Sequence, residues 1–161
     1  MSKVYFIKTT PDAIIPKRAN STDAGMDIYA SEDIVVPPNA GRRLVSTGLK
    51  IGISPDKVNE INCPEFENEV YVWQAEVTPR SGLAWKKGVT VLNSPGIIDN
   101  SYRGLLKVIV VNHGDEPFKI EKGDRIAQLI ITKSYILPIE EVEEFSDETN
   151  RGEGGFGSSG K

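Results

Sequence analysis

Asn93-Ser94-Pro95-Gly96-Ile97-Ile98-Asp99-Asn100-Ser101-Tyr102-Arg103-Gly104 is the stretch around which the chain is organised. Val89, Thr90, Val91 and Leu92 lead into it, and an apolar run over 105–111 leads out. That is strand, turn and strand, with Pro95-Gly96 as the turn signal, and it predicts a hairpin. One carboxylate, Asp99, lies inside the reversal, with isoleucines before it and Tyr102 and Arg103 after it. A carboxylate on a rigid hairpin is aimed, and aim is what a general base requires. A lone Asp beside a turn also has a plainer use, capping that turn; the rest of the chain has to separate the two.

Outward from this stretch the same rhythm repeats. Short apolar or β-branched runs at 4–7, 34–36, 42–47, 49–53, 70–77, 105–112, 118–120 and 125–131 are punctuated by Pro37-Pro38-Asn39, Pro55-Asp56, Gly114-Asp115 and Gly123-Asp124. Gly48 divides the third run from the fourth and predicts a kink or bulge. No helical period holds for three turns up to residue 77. Short strands separated by Gly and Pro predict an all-β sandwich or barrel. The exception is Pro79-Arg80-Ser81-Gly82-Leu83-Ala84-Trp85-Lys86, which predicts a loop opening one short helix with Ser81 as its N-cap. Unpaired N–H groups there, beside Arg80, suit a phosphate, and a capped helix with a surface arginine accounts for the same residues.

Other segments carry smaller signals. In Ala24-Gly25-Met26-Asp27-Ile28-Tyr29 the glycine permits a close backbone approach and Asp27 begins a strand. Gln128 is one amide in an apolar strand, so either backbone or a ligand must satisfy it. Residues 140–148 read as an acidic connector. The last segment, Arg151 to Lys161, is glycine-rich with one aromatic, Phe156, which predicts a mobile arm at 149–161 on a single domain at 1–148. Arg151 suits a phosphate, Phe156 a base, and the bare N–H groups anionic oxygens.

Bulk properties narrow the classes. With 161 residues the chain supports one domain with a sizeable core. A net charge of −4 argues against a generic nucleic-acid binder, which needs a basic face. The single cysteine, Cys63, excludes an intrachain disulfide and a cysteine-rich metal site, and His113 is the only histidine. No targeting segment and no membrane-spanning run is visible, so the expected location is cytoplasmic.

Taken together and in order, these stretches resemble the five motifs of the homotrimeric dUTP pyrophosphatases (dUTPases): 24–29, 79–84, 93–104, 123–129 and 151–160. The resemblance implies a jelly-roll-like β fold, a homotrimer whose active sites are shared between subunits, and Mg²⁺-assisted hydrolysis of dUTP to dUMP and pyrophosphate. It implies that Asp99 activates the attacking water and contacts the 3′-hydroxyl, and that Tyr102 packs under the deoxyribose. Backbone near Gly96, Ile97 and Ile98, with Asn93 and Lys107, would read the uracil edge. Arg80, Ser81 and Gly82 would hold phosphates from a neighbouring subunit, and Gln128 would place the α-phosphate or the water. Asp27 would support Mg²⁺ through water, Arg151 would grip the γ-phosphate, and Phe156, Gly157 and Ser158 would close over the nucleotide.

The chemistry agrees with this. Phosphoryl transfer needs positioning and charge neutralisation more than covalent catalysis. With no Ser-His-Asp or Cys-His set in view, an activated water is the natural nucleophile. One departure from the family pattern is a surplus of roughly a dozen residues about 59–73, read as a surface excursion, a cover for the site or a regulatory partner's binding site. Two alternatives share the fold: a dCTP deaminase-type enzyme, and a regulatory protein that binds nucleotide without turnover. Ile98-Asp99 with Tyr102-Arg103-Gly104 is the hydrolase form of the third motif.

Overall fold

In the computed structural model the described residues are 3–53, 59–60, 70–146, 149 and 152–155. The expectations placed on Arg151, Phe156, Gly157 and Ser158, and on most of the 59–73 excursion, lie outside them. The described residues form eleven strands and one short helix, an all-β, jelly-roll-like architecture. The first sheet runs β1 (Val4–Lys8), β4 (Gly41–Ile53), β9 (Leu105–Asn112), β7 (Val89–Val91). The second runs β2 (Met26–Tyr29), β11 (Arg125–Ile136), β6 (Val70–Thr78), β5 (Asn59–Glu60), with β8 (Gly96–Ile98) also paired to β6. A two-stranded ribbon joins β3 (Ile34–Val36) to β10 (Phe118–Ile120). The strand pairings are antiparallel.

Period-two alternation puts the core between the sheets. Val45, Ile51, Leu106, Val108, Val89 and Val91 from the first sheet meet Ile28, Ala75, Val77, Ala127 and Leu129 from the second, with Val36 and Ile120 closing one end. Two polar side chains sink into this core and are satisfied there. The Thr47 hydroxyl donates to the Leu106 carbonyl at 2.7 Å. The Asn112 amide donates to the carbonyls of Val36 and Glu116 and accepts from the Gly114 N–H. A buried amide with both ends occupied ties β9, β3 and the turn after β9 together.

The break expected at Gly48 is a bulge inside one long strand. The register of β4 against β9 shifts between Ser46 and Leu49, and Gly48 takes φ +67. The expected hairpin at Pro95-Gly96 is not one. β7 and β9 do pair, but the segment between them leaves their sheet, and β8 pairs with β6 of the other. Three residues cannot declare from sequence which sheet they join. Ser81 is also corrected: the N-cap is Arg80, extended at φ −91 and ψ 124, and Ser81 is the first residue of α1 (Ser81–Lys87), with no side-chain cap bond.

Candidate functional site

The excursion through β8 is what builds a pocket. Leaving the first sheet after Leu92, the chain pairs with β6 through β8 and returns to the first sheet at Leu105. Beneath it is a cavity of about 370 Å³ lined by Asn93, Gly96, Ile97, Ile98, Asp99, Tyr102 and Lys107. Seven of the residues singled out from sequence therefore share one hollow. Leu44, Leu105, Leu106 and Ile109 form its apolar floor together with Val77 and Val91. These floor residues were missed, because from sequence they are ordinary strand positions.

Asp99 opens a turn: its carbonyl accepts the Tyr102 N–H at 3.0 Å. Its carboxylate has no hydrogen-bond or ion-pair partner among the described residues, although Lys107 lines the same cavity. A capping aspartate would spend that carboxylate on nearby N–H groups. This one is left for something in the cavity. The turn itself is held from outside: the Asn100 side chain donates to the Trp73 carbonyl at 2.9 Å, and Arg103 donates to the carbonyls of Asn100, Tyr102 and Ile53. Tyr102 donates through its hydroxyl to the Leu105 carbonyl at 2.9 Å, laying the ring along the pocket wall. β8 bonds to β6 along one edge, and its other edge has no strand partner among the described residues. Backbone N–H and C=O groups on such an edge are open to a planar ligand.

The remaining predicted residues gather elsewhere. Asp27, only 8 % exposed, bridges two guanidiniums: Oδ1 lies 3.2 Å from Arg80 Nε and Oδ2 lies 3.2 Å from Arg125 Nη1. Arg80 also donates to the Arg125 carbonyl at 3.1 Å. One buried acid thus fixes both guanidiniums at the start of α1, where Ser81 and Gly82 are exposed. Gln128 pairs in register with Asp27 and Thr78, and its side chain lies against Gly25, where a Cβ would come within 3.3 Å of Cδ. No hydrogen bond satisfies the Gln128 amide among the described residues, which leaves the ligand alternative standing. Arg80 and Arg125 line a hollow of about 240 Å³ with Leu83, Phe118, Ile120 and Asp124, and it shares no residue with the Asp99 cavity.

The donors suit a metal that arrives with its ligand better than one held by the protein. Among the described residues no three His, Cys, Asp or Glu side chains sit together, and both oxygens of Asp27 face guanidiniums. Mg²⁺ often takes most of its ligands from substrate phosphates and water. No helix among the described residues is long and apolar enough to cross a membrane.

A β sandwich with a turn-borne carboxylate in one hollow and an aspartate-bridged arginine pair in another suits an anionic, flat-ringed ligand such as a nucleotide. Comparison with known proteins is specific. The dUTPase family model matches residues 11–64 and 69–160, so the chain belongs to the dUTPase family, whose members are dUTP diphosphatases. The unmatched residues 65–68 fall within the 59–73 surplus. The chain is 48% identical over 153 residues to the deoxyuridine 5′-triphosphate nucleotidohydrolase of Clostridioides difficile, covering 95% of this chain and 94% of the relative. It is 44% identical to that of Clostridium novyi, covering 98% and 99%. The structure of the Staphylococcus bacteriophage 80alpha dUTPase with dUPNHPP superposes with a TM-score of 0.81 at 26% identity, covering 99% of both chains. A dUTPase mutant from phage phi11 of S. aureus, whose structure concerns a structural Mg(II) ion, shares the fold at a TM-score of 0.72 and 22% identity.

Proposed function

We propose that the chain hydrolyses dUTP to dUMP and pyrophosphate, with Asp99 as the general base for a water that attacks the α-phosphorus. The observation that carries this is the Asp99 carboxylate, unpartnered among the described residues and lining a cavity with Tyr102, Asn93 and the free edge of β8. The water's proton passes to Asp99, its oxygen bonds to the α-phosphorus, and the bond to the bridging oxygen breaks to release pyrophosphate. Such a reaction is driven by positioning and by charge stabilisation. Uracil lies against Gly96–Ile98 with Asn93 and Lys107 at its edge, and the deoxyribose lies on Tyr102. Arg80, Ser81, Gly82 and Gln128 take the phosphates, with Arg151 and Phe156 to Ser158 assigned to the same nucleotide by the family motif alone. Asp27 would support Mg²⁺ through water, with substrate phosphates and water as its other ligands, and the ion would supply charge neutralisation. The product is a precursor for dTMP, and removal of dUTP keeps uracil out of DNA.

Two separated hollows support a trimer with shared sites. One triphosphate must meet both the Asp99 cavity and the Arg80 cluster, and within one chain these share no wall. Tyr5 and Ile7 are exposed on the first sheet, and Trp85 of α1 is 88% exposed, which suits faces covered by further copies. The test is pyrophosphate release from dUTP, UTP, dCTP and dTTP. A site built to hydrogen-bond uracil should reject dCTP by on the order of 10⁴-fold, while a methyl against β8 excludes dTTP. Ammonia release from dCTP would instead establish the deaminase alternative.

A further inference from the structure

We propose that Arg103 is a positioning residue for this reaction, clamping the turn from Asp99 to Tyr102 onto the end of β4 and so fixing the aim of the Asp99 carboxylate. The proposal rests on the assignment of Asp99 as the base. Arg103 Nη1 donates to the carbonyls of Asn100 and Tyr102, at 2.6 Å each, and Nη2 donates to the carbonyl of Ile53 at 3.1 Å. Arginine's planar fork ordinarily meets a carboxylate. Arg103 forms no ion pair among the described residues, and its donors go to three backbone acceptors instead.

Gly52 is the second observation. A Cβ there would lie 3.1 Å from Arg103 Cδ and 3.3 Å from Nε, so the arginine stem lies directly on the bare backbone of β4. The third is on the far side of the turn, where Asn100 is fastened to the Trp73 carbonyl of β6. Asp99 is therefore carried on a turn pinned to one sheet by Asn100 and to the other by Arg103. Arg103 lines a separate hollow of about 230 Å³ with Gly52 and Ile53 and does not line the Asp99 cavity. It acts on the chemistry through the backbone between them. Charge-assisted bonds are about twice as strong as neutral ones, which suits a clamp on a turn that carries no strand pairing of its own.

The experiment is steady-state turnover of dUTP by the full-length chain and by Arg103→Ala, Arg103→Lys, Gly52→Ala and the Arg103→Ala/Gly52→Ala double variant, each checked for folding by its melting curve. Arg103→Ala should lower kcat on the order of 10²-fold, the cost of a misplacement near 1 Å, with a smaller change in KM. Arg103→Lys, whose ammonium reaches the two turn carbonyls but has no second arm for Ile53, should recover part of the loss. Gly52→Ala should lower kcat when Arg103 is present and change nothing once Arg103 is alanine. Wild-type kcat in Arg103→Ala overturns the proposal, as does a Gly52→Ala effect of equal size in both backgrounds. If Arg103→Ala does not fold, Arg103→Lys decides alone: a several-fold lower kcat supports the clamp and wild-type kcat overturns it. Asp99→Asn, assayed alongside, separates the two levels. Full turnover there removes the base assignment and the clamp with it, whereas an inactive Asp99→Asn beside a fully active Arg103→Ala removes the clamp only.

Discussion

Tyr102 lies so close to Gly104 that a Cβ at 104 would come within 2.4 Å of its hydroxyl oxygen and 2.5 Å of Cζ. Gly104 is thus the seat of the ring that is proposed to exclude a 2′-hydroxyl. Gly104→Ala should push the ring from the wall, raise KM for dUTP and narrow the preference for dUTP over UTP. Parallel kinetics on the two nucleotides check this, and an unchanged ratio would remove Tyr102 from sugar selection. At this scale the sequence singles out Asp99 and Asn93 by their own side chains, and both line one cavity. It was silent where the role is made by partners far along the chain. Arg103 serves carbonyls, which leave no charge pattern, and Arg125 meets Asp27 across 98 positions.

Most strands were legible from punctuation alone: β3, β9 and β10 have their expected limits, because Pro or Gly bounds each run and alternation identifies the buried side. β11 runs on to Ile136, past the expected 131, since Lys133 and Ser134 interrupt the apolar pattern while the pairing with β6 continues. β8 was hidden because its partner strand is set by the packing of both sheets. The bulge in β4 gives an element-scale prediction. Gly48 holds φ +67, and a Cβ there would come within 2.6 Å of Thr10 Oγ1 and 3.0 Å of Ala13 Cβ. Gly48→Ala adds left-handed strain of about 1–2 kcal/mol to that overlap. It should lower the urea midpoint while leaving KM for dUTP unchanged in the folded fraction. An unmoved midpoint would mean that the bulge relaxes at no cost.

For the whole molecule, the issue is how one substrate reaches two hollows. If Asp99 of one subunit works with Arg80 of another, inactive chains can complete each other. Asp99→Asn and Arg80→Ala chains, refolded together in equal amounts, should regain activity at about a quarter of the sites, since each site draws its two residues at random from the mixture. Light scattering should give a trimer for each parent. No recovery from mixed trimers would place both residues of each site in one subunit. Nothing in the sequence says that Arg80 lines a different hollow from Asp99 and Tyr102.

The most direct trial of the account is Asp99→Asn, with dUTP turnover and nucleotide binding measured on the same preparation. Loss of a positioned base predicts a kcat lower by on the order of 10²–10⁴-fold, with binding retained because the amide still fills the turn. Turnover near that of the unaltered chain would contradict it.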